Sequence, residues 1–144
     1  MKSINKISSQ LDFLLNLATA QAKMARRFDG RLGSLHGLGQ NDFRILYYLS
    51  QADGEKMRRI DLAEKLGLTA SGITRLLMPM EKIGLIKRET TEHDARVSFV
   101  LLAPGGKRLL SESVERAELL AEEILPAAKA KKLEEMTEIL SELN

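Results

Sequence analysis

Ser71, Arg75, Met78 and Lys82 fall on one side of any helix drawn through TASGITRLLMPMEK, with Thr74 on the flank. At about 100° per residue, Ile73, Leu76, Leu77, Met80 and Ile83 fall on the other side. The polar face therefore begins with short hydroxyls and a guanidinium. Arginine pairs with the O6 and N7 acceptors of guanine, and Ser or Thr bonds to bases or phosphates. A helix that reads the major groove enters it by its N-terminal residues. Thr69 is of the type that caps such a helix. Gly72, costly in a helix, lets the backbone approach a phosphate closely. Lys87 and Arg88 follow as phosphate contacts, which position a protein on DNA without reading sequence. Pro79 interrupts the same helix about ten residues in. A proline there removes a backbone hydrogen bond and costs about 3 kcal/mol. It lies beyond the end that meets DNA, so a bend at Pro79 spares Ser71 to Arg75.

Other chemistries find little support. The chain has no cysteine, which excludes disulfides, thiolate metal sites and thiol redox sensing. His36 and His93 are far apart in sequence, and a zinc site needs more ligands. No Ser/His/Asp arrangement, phosphate-binding glycine loop or carboxylate pair stands out. Neither an enzyme, nor a cofactor, nor a metal is expected. Tyr47, Tyr48 and the six methionines read as core.

The elements around the polar face have a definite spacing. Ala63, Gly67 and Ile73 stand where a helix-turn-helix needs a small residue at the crossing, a left-handed turn and a packing side chain. MRRIDLAEKLG reads as the first helix of the pair, with Gly67 as its stop. After Gly84 the apolar period changes from 3.6 to 2, so LIKRET and RVSFVLL are strands of a hairpin joined by TEHDA. A hairpin directly after the second helix makes a winged helix-turn-helix. Upstream, Asn41 or Asp42 caps a helix carrying Phe43, Ile45, Leu46 and Leu49, and DGEK is a turn.

Long helices flank this unit. Ile4, Ile7, Leu11, Leu14, Ala18, Gln21, Ala25, Phe28, Leu32 and Leu35 follow a heptad, so one stripe of the first helix seeks burial, against another subunit or against the chain's own core. Gly30 and Gly33 are expected to end that helix. Pro104 and Gly105-Gly106 punctuate before a helix bearing Leu109 to Ile124, which Pro126 breaks. A last helix shows Leu133, Met136, Ile139, Leu140 and Leu143. The fold class is mainly α with a small β-hairpin wing.

At 144 residues, with 44% apolar and 29% charged residues, the composition is that of one soluble globular domain. No run is long and apolar enough to span a membrane. Lys2 and Lys6 ahead of LDFLLNLATAQA imitate a secretory leader, but Asp12 and Asn16 interrupt it. A cytoplasmic location is expected. The net charge of +2 hides a gradient. Residues 56–88 hold eight Lys/Arg against three Asp/Glu, and residues 107–144 hold six against nine. A basic middle suits an anionic partner.

IDLAEKLGLTASGITRLLMPMEKIGLIKRE resembles the helix-turn-helix of the MarR family of transcription regulators, and HDARVSFVLLAPGGKRLL resembles its wing. The resemblance covers nearly the whole chain. It implies a homodimer joined by residues 1–36 and 107–144 around a DNA-binding unit at 37–106. It implies a palindromic double-stranded DNA site, repression more than activation, and often a small-molecule effector bound between the dimerisation and DNA-binding parts. Carried over, Arg96 is the wing-tip arginine in the minor groove and Asp94 holds an arginine near the wing. Ser71, Thr74 and Arg75 face the major groove. Ala103-Pro104 departs from the family's hydroxyl cap, and Glu89, Glu92 and Asp94 make an acidic wing. The rival reading is a winged helix used only for protein contacts. That use calls for an apolar exposed face, where this chain has Ser71, Thr74, Arg75 and Lys82.

Overall fold

A computed structural model describes residues 6–91 and 94–143; the side chains of residues 91, 94–96 and 128 lie outside the description. Among the described residues, six α-helices surround a small sheet. They are α1 (Ser9–His36), α2 (Gln40–Gln51), α3 (Arg59–Leu66), α4 (Ala70–Lys82), α5 (Pro104–Ile124) and α6 (Leu133–Ser141). The strands are β1 (Lys56–Arg58), β2 (Ile86–Thr91) and β3 (Asp94–Leu102), antiparallel in the order β1-β3-β2. No helix among the described residues is long and apolar enough to cross a membrane.

One core runs through the molecule. Leu32 of α1, Ile45, Leu46 and Leu49 of α2, Leu62 of α3, Ile73 of α4 and Leu120 of α5 are all buried in it. These are the inward positions of the 3.6-residue period, which is why the sequence pattern placed them. α6 contributes no buried residue.

The helix-turn-helix forms as its spacing predicts. Ala63 is buried where α3 meets α4, and Gly67 takes φ 71°, a left-handed value that a side chain resists. The Leu68 N–H donates to the Ala63 carbonyl at 2.9 Å and closes the turn. Thr69 caps α4: its hydroxyl accepts from the Gly72 N–H at 3.1 Å. α4 continues through Pro79 to Lys82. Pro79 is solvent-exposed, and buried Leu77 and Met80 hold the helix on either side of it.

Several local expectations are overturned. α1 does not stop at Gly30 or Gly33 but runs to His36, and Gly37 ends it with φ 69°. Leu32, fully buried between the two glycines, anchors the helix there, and that burial outweighs about 1 kcal/mol per glycine. Neither Asn41 nor Asp42 is the cap of α2; Gly39 is. The Gly39 N–H donates to Asp42 Oδ2 at 2.9 Å, and the Gln40 N–H donates to Asp29 Oδ1 of α1 at 2.8 Å. Burial pushes the Asp42 carboxyl up, the Gly39 N–H draws it back down, and the nearby Asp29 charge adds to the rise. MRRIDLAEKLG is a strand and then a helix. Lys56, Met57 and Arg58 pair with Leu101, Val100 and Phe99, so the hairpin gains a third strand. β3 begins at Asp94, two residues before the RVSFVLL run. Gly105 and Gly106 do not precede α5 but lie in its first turn. Ile83, expected inward, is 69% exposed because α4 ends at Lys82.

The long helices are tied by charge as well as by packing. Arg31 of α1 donates twice to Glu123 of α5, at 3.0 and 2.6 Å. That fork holds the Glu123 carboxyl below its ordinary range. Ala103 precedes α5 without a side-chain cap, and Pro104 occupies the first turn, where its missing N–H is not needed.

Candidate nucleic-acid interface

The first two turns of α4 gather most of the expected contacts. Ser71 and Arg75 are exposed, and Arg75 makes no ion pair with another described residue. Lys82, about two turns beyond Arg75, is exposed as well. The opposite face of α4 is buried through Ile73, Leu77 and Met80, so the polar face points away from the core. Thr69 is exposed but engaged. Besides capping Gly72, its hydroxyl lies 3.2 Å from the Ser71 hydroxyl.

Gly72 has a local reason to lack a side chain. A Cβ there would stand 3.2 Å from the Thr69 hydroxyl and 3.7 Å from the Leu68 Cβ. The glycine leaves room for the cap, whatever else approaches it.

Thr74 is half-buried and committed. Its hydroxyl donates to the Ala70 carbonyl at 2.9 Å and accepts from Arg59 Nη1 at 2.8 Å. Arg59 entered the sequence argument only as one charge among eight. No local pattern marks it, because its partner lies 15 residues away on another helix.

The basic surface is thinner than the charge count suggests. Arg58 is bonded to Asp61 at 2.9 Å, which raises the hold of the guanidinium on its proton. Arg88 of β2 is paired with Glu81 at 3.0 Å. Lys56 lies over the Phe99 ring and Lys65 over the Tyr48 ring. Lys87, exposed beside Arg88, makes no ion pair with another described residue. The backbones of Asp94 and Arg96 lie in β3, with Asp94 opposite Thr91. Their side chains, and all of Glu92 and His93, lie outside the described residues.

The arrangement is an exposed helix end carrying hydroxyls and a guanidinium, beside an antiparallel hairpin. It can donate hydrogen bonds to base edges and phosphates.

Comparison with known proteins agrees with this architecture. A curated relative, the uncharacterized HTH-type transcriptional regulator YdgJ of Bacillus subtilis, is 24% identical over 107 residues, 74% of this chain. The match spans 64% of that relative's length. Among solved structures, the transcriptional regulator BldR from Sulfolobus solfataricus is 30% identical, with a TM-score of 0.83 over 97% of this chain and 100% of that one. Sco3205, a MarR family transcriptional regulator from Streptomyces coelicolor solved in complex with DNA, shares the fold at 19% identity, with a TM-score of 0.80 over 99% of this chain and 92% of that one. The sequence model of the MarR family matches residues 38–98, the stretch that carries α2, the helix-turn-helix and the hairpin. With the pattern of this region and the full-length likeness to BldR, the chain belongs to the MarR family of transcriptional regulators.

Proposed function

We propose that the protein is a cytoplasmic, sequence-specific repressor that binds a palindromic operator as a homodimer. The observation that carries this reading is the exposed Ser71–Arg75 face on a helix-turn-helix whose other face is buried. In this reading Ser71 and Arg75 meet base edges in the major groove, and Lys87 meets phosphate. Residues 37–106 bind DNA, while α1, α5 and α6 join the two copies. The apolar side chains left exposed on α1 and α6 support that division. An open, largely apolar cleft of about 350 Å³ among α1, α5 and α6, lined by Met24, Phe28, Leu120, Ile124 and Leu133, lies within the proposed dimerisation part and is the place where a small apolar effector would bind. A protein-only winged helix is disfavoured by the same polar face.

The test is selection of DNA from a random pool by the purified protein, followed by binding of the selected site across a salt series. Affinity is expected to fall steeply with salt, because Lys and Arg displace counterions from phosphates. Arg75→Ala should cost about 1–3 kcal/mol on the selected site and little on random DNA. Lys87→Ala should weaken both alike. Arg88→Ala should do less, since Arg88 must first leave Glu81. Binding that is flat between low and physiological salt would overturn the reading.

The wing supplies a prediction of sign. Arg96→Ala should weaken operator binding, most where A·T-rich DNA narrows the minor groove under it. Asp94→Ala should weaken binding too, although it removes a charge that DNA repels. Tighter binding by Asp94→Ala would make Asp94 plain surface charge.

A further inference from the structure

The contact between Arg59 and Thr74 changes what the reading helix can do, and this inference rests on the proposal that α4 reads DNA. A hydroxyl has one proton to give. The proton of Thr74 goes to the Ala70 carbonyl at 2.9 Å, and one of its lone pairs takes Arg59 Nη1 at 2.8 Å. Phosphate oxygens and the guanine O6 and N7 are acceptors. A hydroxyl that has already donated inward has nothing to offer them.

Arg59 has a second bond in the same place. Its Nη1 also lies 3.3 Å from the Ala70 carbonyl. Arg59 is the first residue of α3, and Ala70 the first of α4. One guanidinium nitrogen therefore ties the start of one helix of the pair to the start of the other. This is the end of α4 that most needs a tie. The first turn of a helix has N–H groups without intrahelical partners, and here Gly72 loosens it further. The Thr69 cap satisfies one of those N–H groups. Arginine suits the task, since its planar fork loses little freedom for each bond it forms.

We propose that Arg59 is a positioning residue. It locks the first turn of α4 through the Thr74 hydroxyl and the Ala70 carbonyl, so that Ser71 and Arg75 reach DNA already aligned and the Thr74 hydroxyl has no proton left for a phosphate or for guanine.

The test is a double-mutant cycle of Arg59→Gln and Thr74→Val in the full-length protein, with Arg59→Lys beside it. Binding is measured on the selected site and on random DNA across salt. Hydrogen exchange of the Ile73 and Thr74 amides is followed in the DNA-free protein. Arg59→Gln should weaken selected-site binding about tenfold, the scale of one charge-assisted hydrogen bond, and speed both amides. Thr74→Val should reproduce most of that loss, and the second substitution should add little to the first. Arg59→Lys keeps the charge without the planar guanidinium that sets the direction of both Nη1 bonds, so it should lose selectivity while keeping more of the affinity for random DNA.

Additive losses, equal on both DNAs and with a shallower salt slope, would instead make Arg59 a phosphate contact. A change of preferred base in Thr74→Val would make Thr74 a reader. The exchange arm separates the two proposals. If the wild-type protein selects no DNA, the DNA reading falls; if Arg59→Gln leaves the Ile73 and Thr74 amides as slow as before, the positioning role falls whether or not DNA is bound.

Discussion

Leu14→Glu combined with Leu140→Glu is expected to convert the proposed dimer into folded monomers and to weaken operator binding by about a hundredfold or more. Both side chains are exposed, at 48% and 44%, so the charge costs a single chain little. What it blocks is the burial of an apolar stripe. Ile7, just before α1, and Leu11 and Leu14 on it stand out to solvent, as do Leu133, Met136, Ile139 and Leu140 on α6. A surface this apolar marks an interaction site. Two linked half-site contacts exceed one by about 10²–10⁴ in avidity, which sets the scale of the loss. Sedimentation and operator titration at matched protein concentration are the measurements. A variant that stays dimeric with unchanged operator affinity would refute the assignment of this surface. Deleting residues 1–36 is a poorer test than the heptad suggests. It removes Leu32, fully buried in the core, and Asp29, which holds the start of α2, so it unfolds the chain as well as separating it.

Gly106→Ala is expected to destabilise the protein by about 3 kcal/mol, with a fall in Tm of about 10 °C. A Cβ at Gly106 would lie 2.1 Å from the Leu85 carbonyl oxygen and 3.0 Å from its carbon. Both are backbone atoms, and the same carbonyl already accepts the Ala103 N–H at 3.0 Å. Neither side can yield without pulling β2 away from the start of α5. β2 carries Lys87, so operator binding should fall along with stability. Gly30→Ala is the matched control. A Cβ at Gly30 meets nothing within 4 Å, and alanine is the better helix former by about 1 kcal/mol. Thermal unfolding of the two variants should move in opposite directions. Equal Tm values would mean that α5 does not pack against Leu85 as closely as it does here.

The helix-turn-helix was legible because its determinants are local. Ala63, Gly67, Thr69 and Ile73 act over one turn or one crossing, and each does what its type and spacing predict. The outward face of α4 followed from the helical period alone, down to the exposure of Ser71, Arg75 and Lys82. The β2–β3 hairpin was legible from the change of period after Gly84. The third strand was not. Lys56 to Arg58 is too short to show alternation, and it is a strand only because β3, more than forty positions on, offers it a free edge. The cap of α2 was misplaced for a related reason. Asn41 and Asp42 are good capping types, but Gly39 occupies the position, with Asp42 accepting from its N–H and Asp29 from that of Gln40. The two glycines of α5 looked like punctuation and are instead a docking surface, Gly105 for the Gly84 backbone and Gly106 for that of Leu85.

By itself the sequence determined which residues face outward on α4, where its cap and the left-handed turn before it fall, and that the first and last helices carry apolar stripes. These depend on period and on backbone preference, which act within a few residues. Only the tertiary structure decided which polar groups on that face remain available. Thr74 and Arg75 are neighbours of equal promise in the sequence, yet one is bonded to Arg59 and the other is exposed. Arg88 and Lys87 divide in the same way, through Glu81. A hydrogen-bonding group has few bonds to give, and a partner brought in by the fold from 7 or 15 positions away takes them before any ligand arrives.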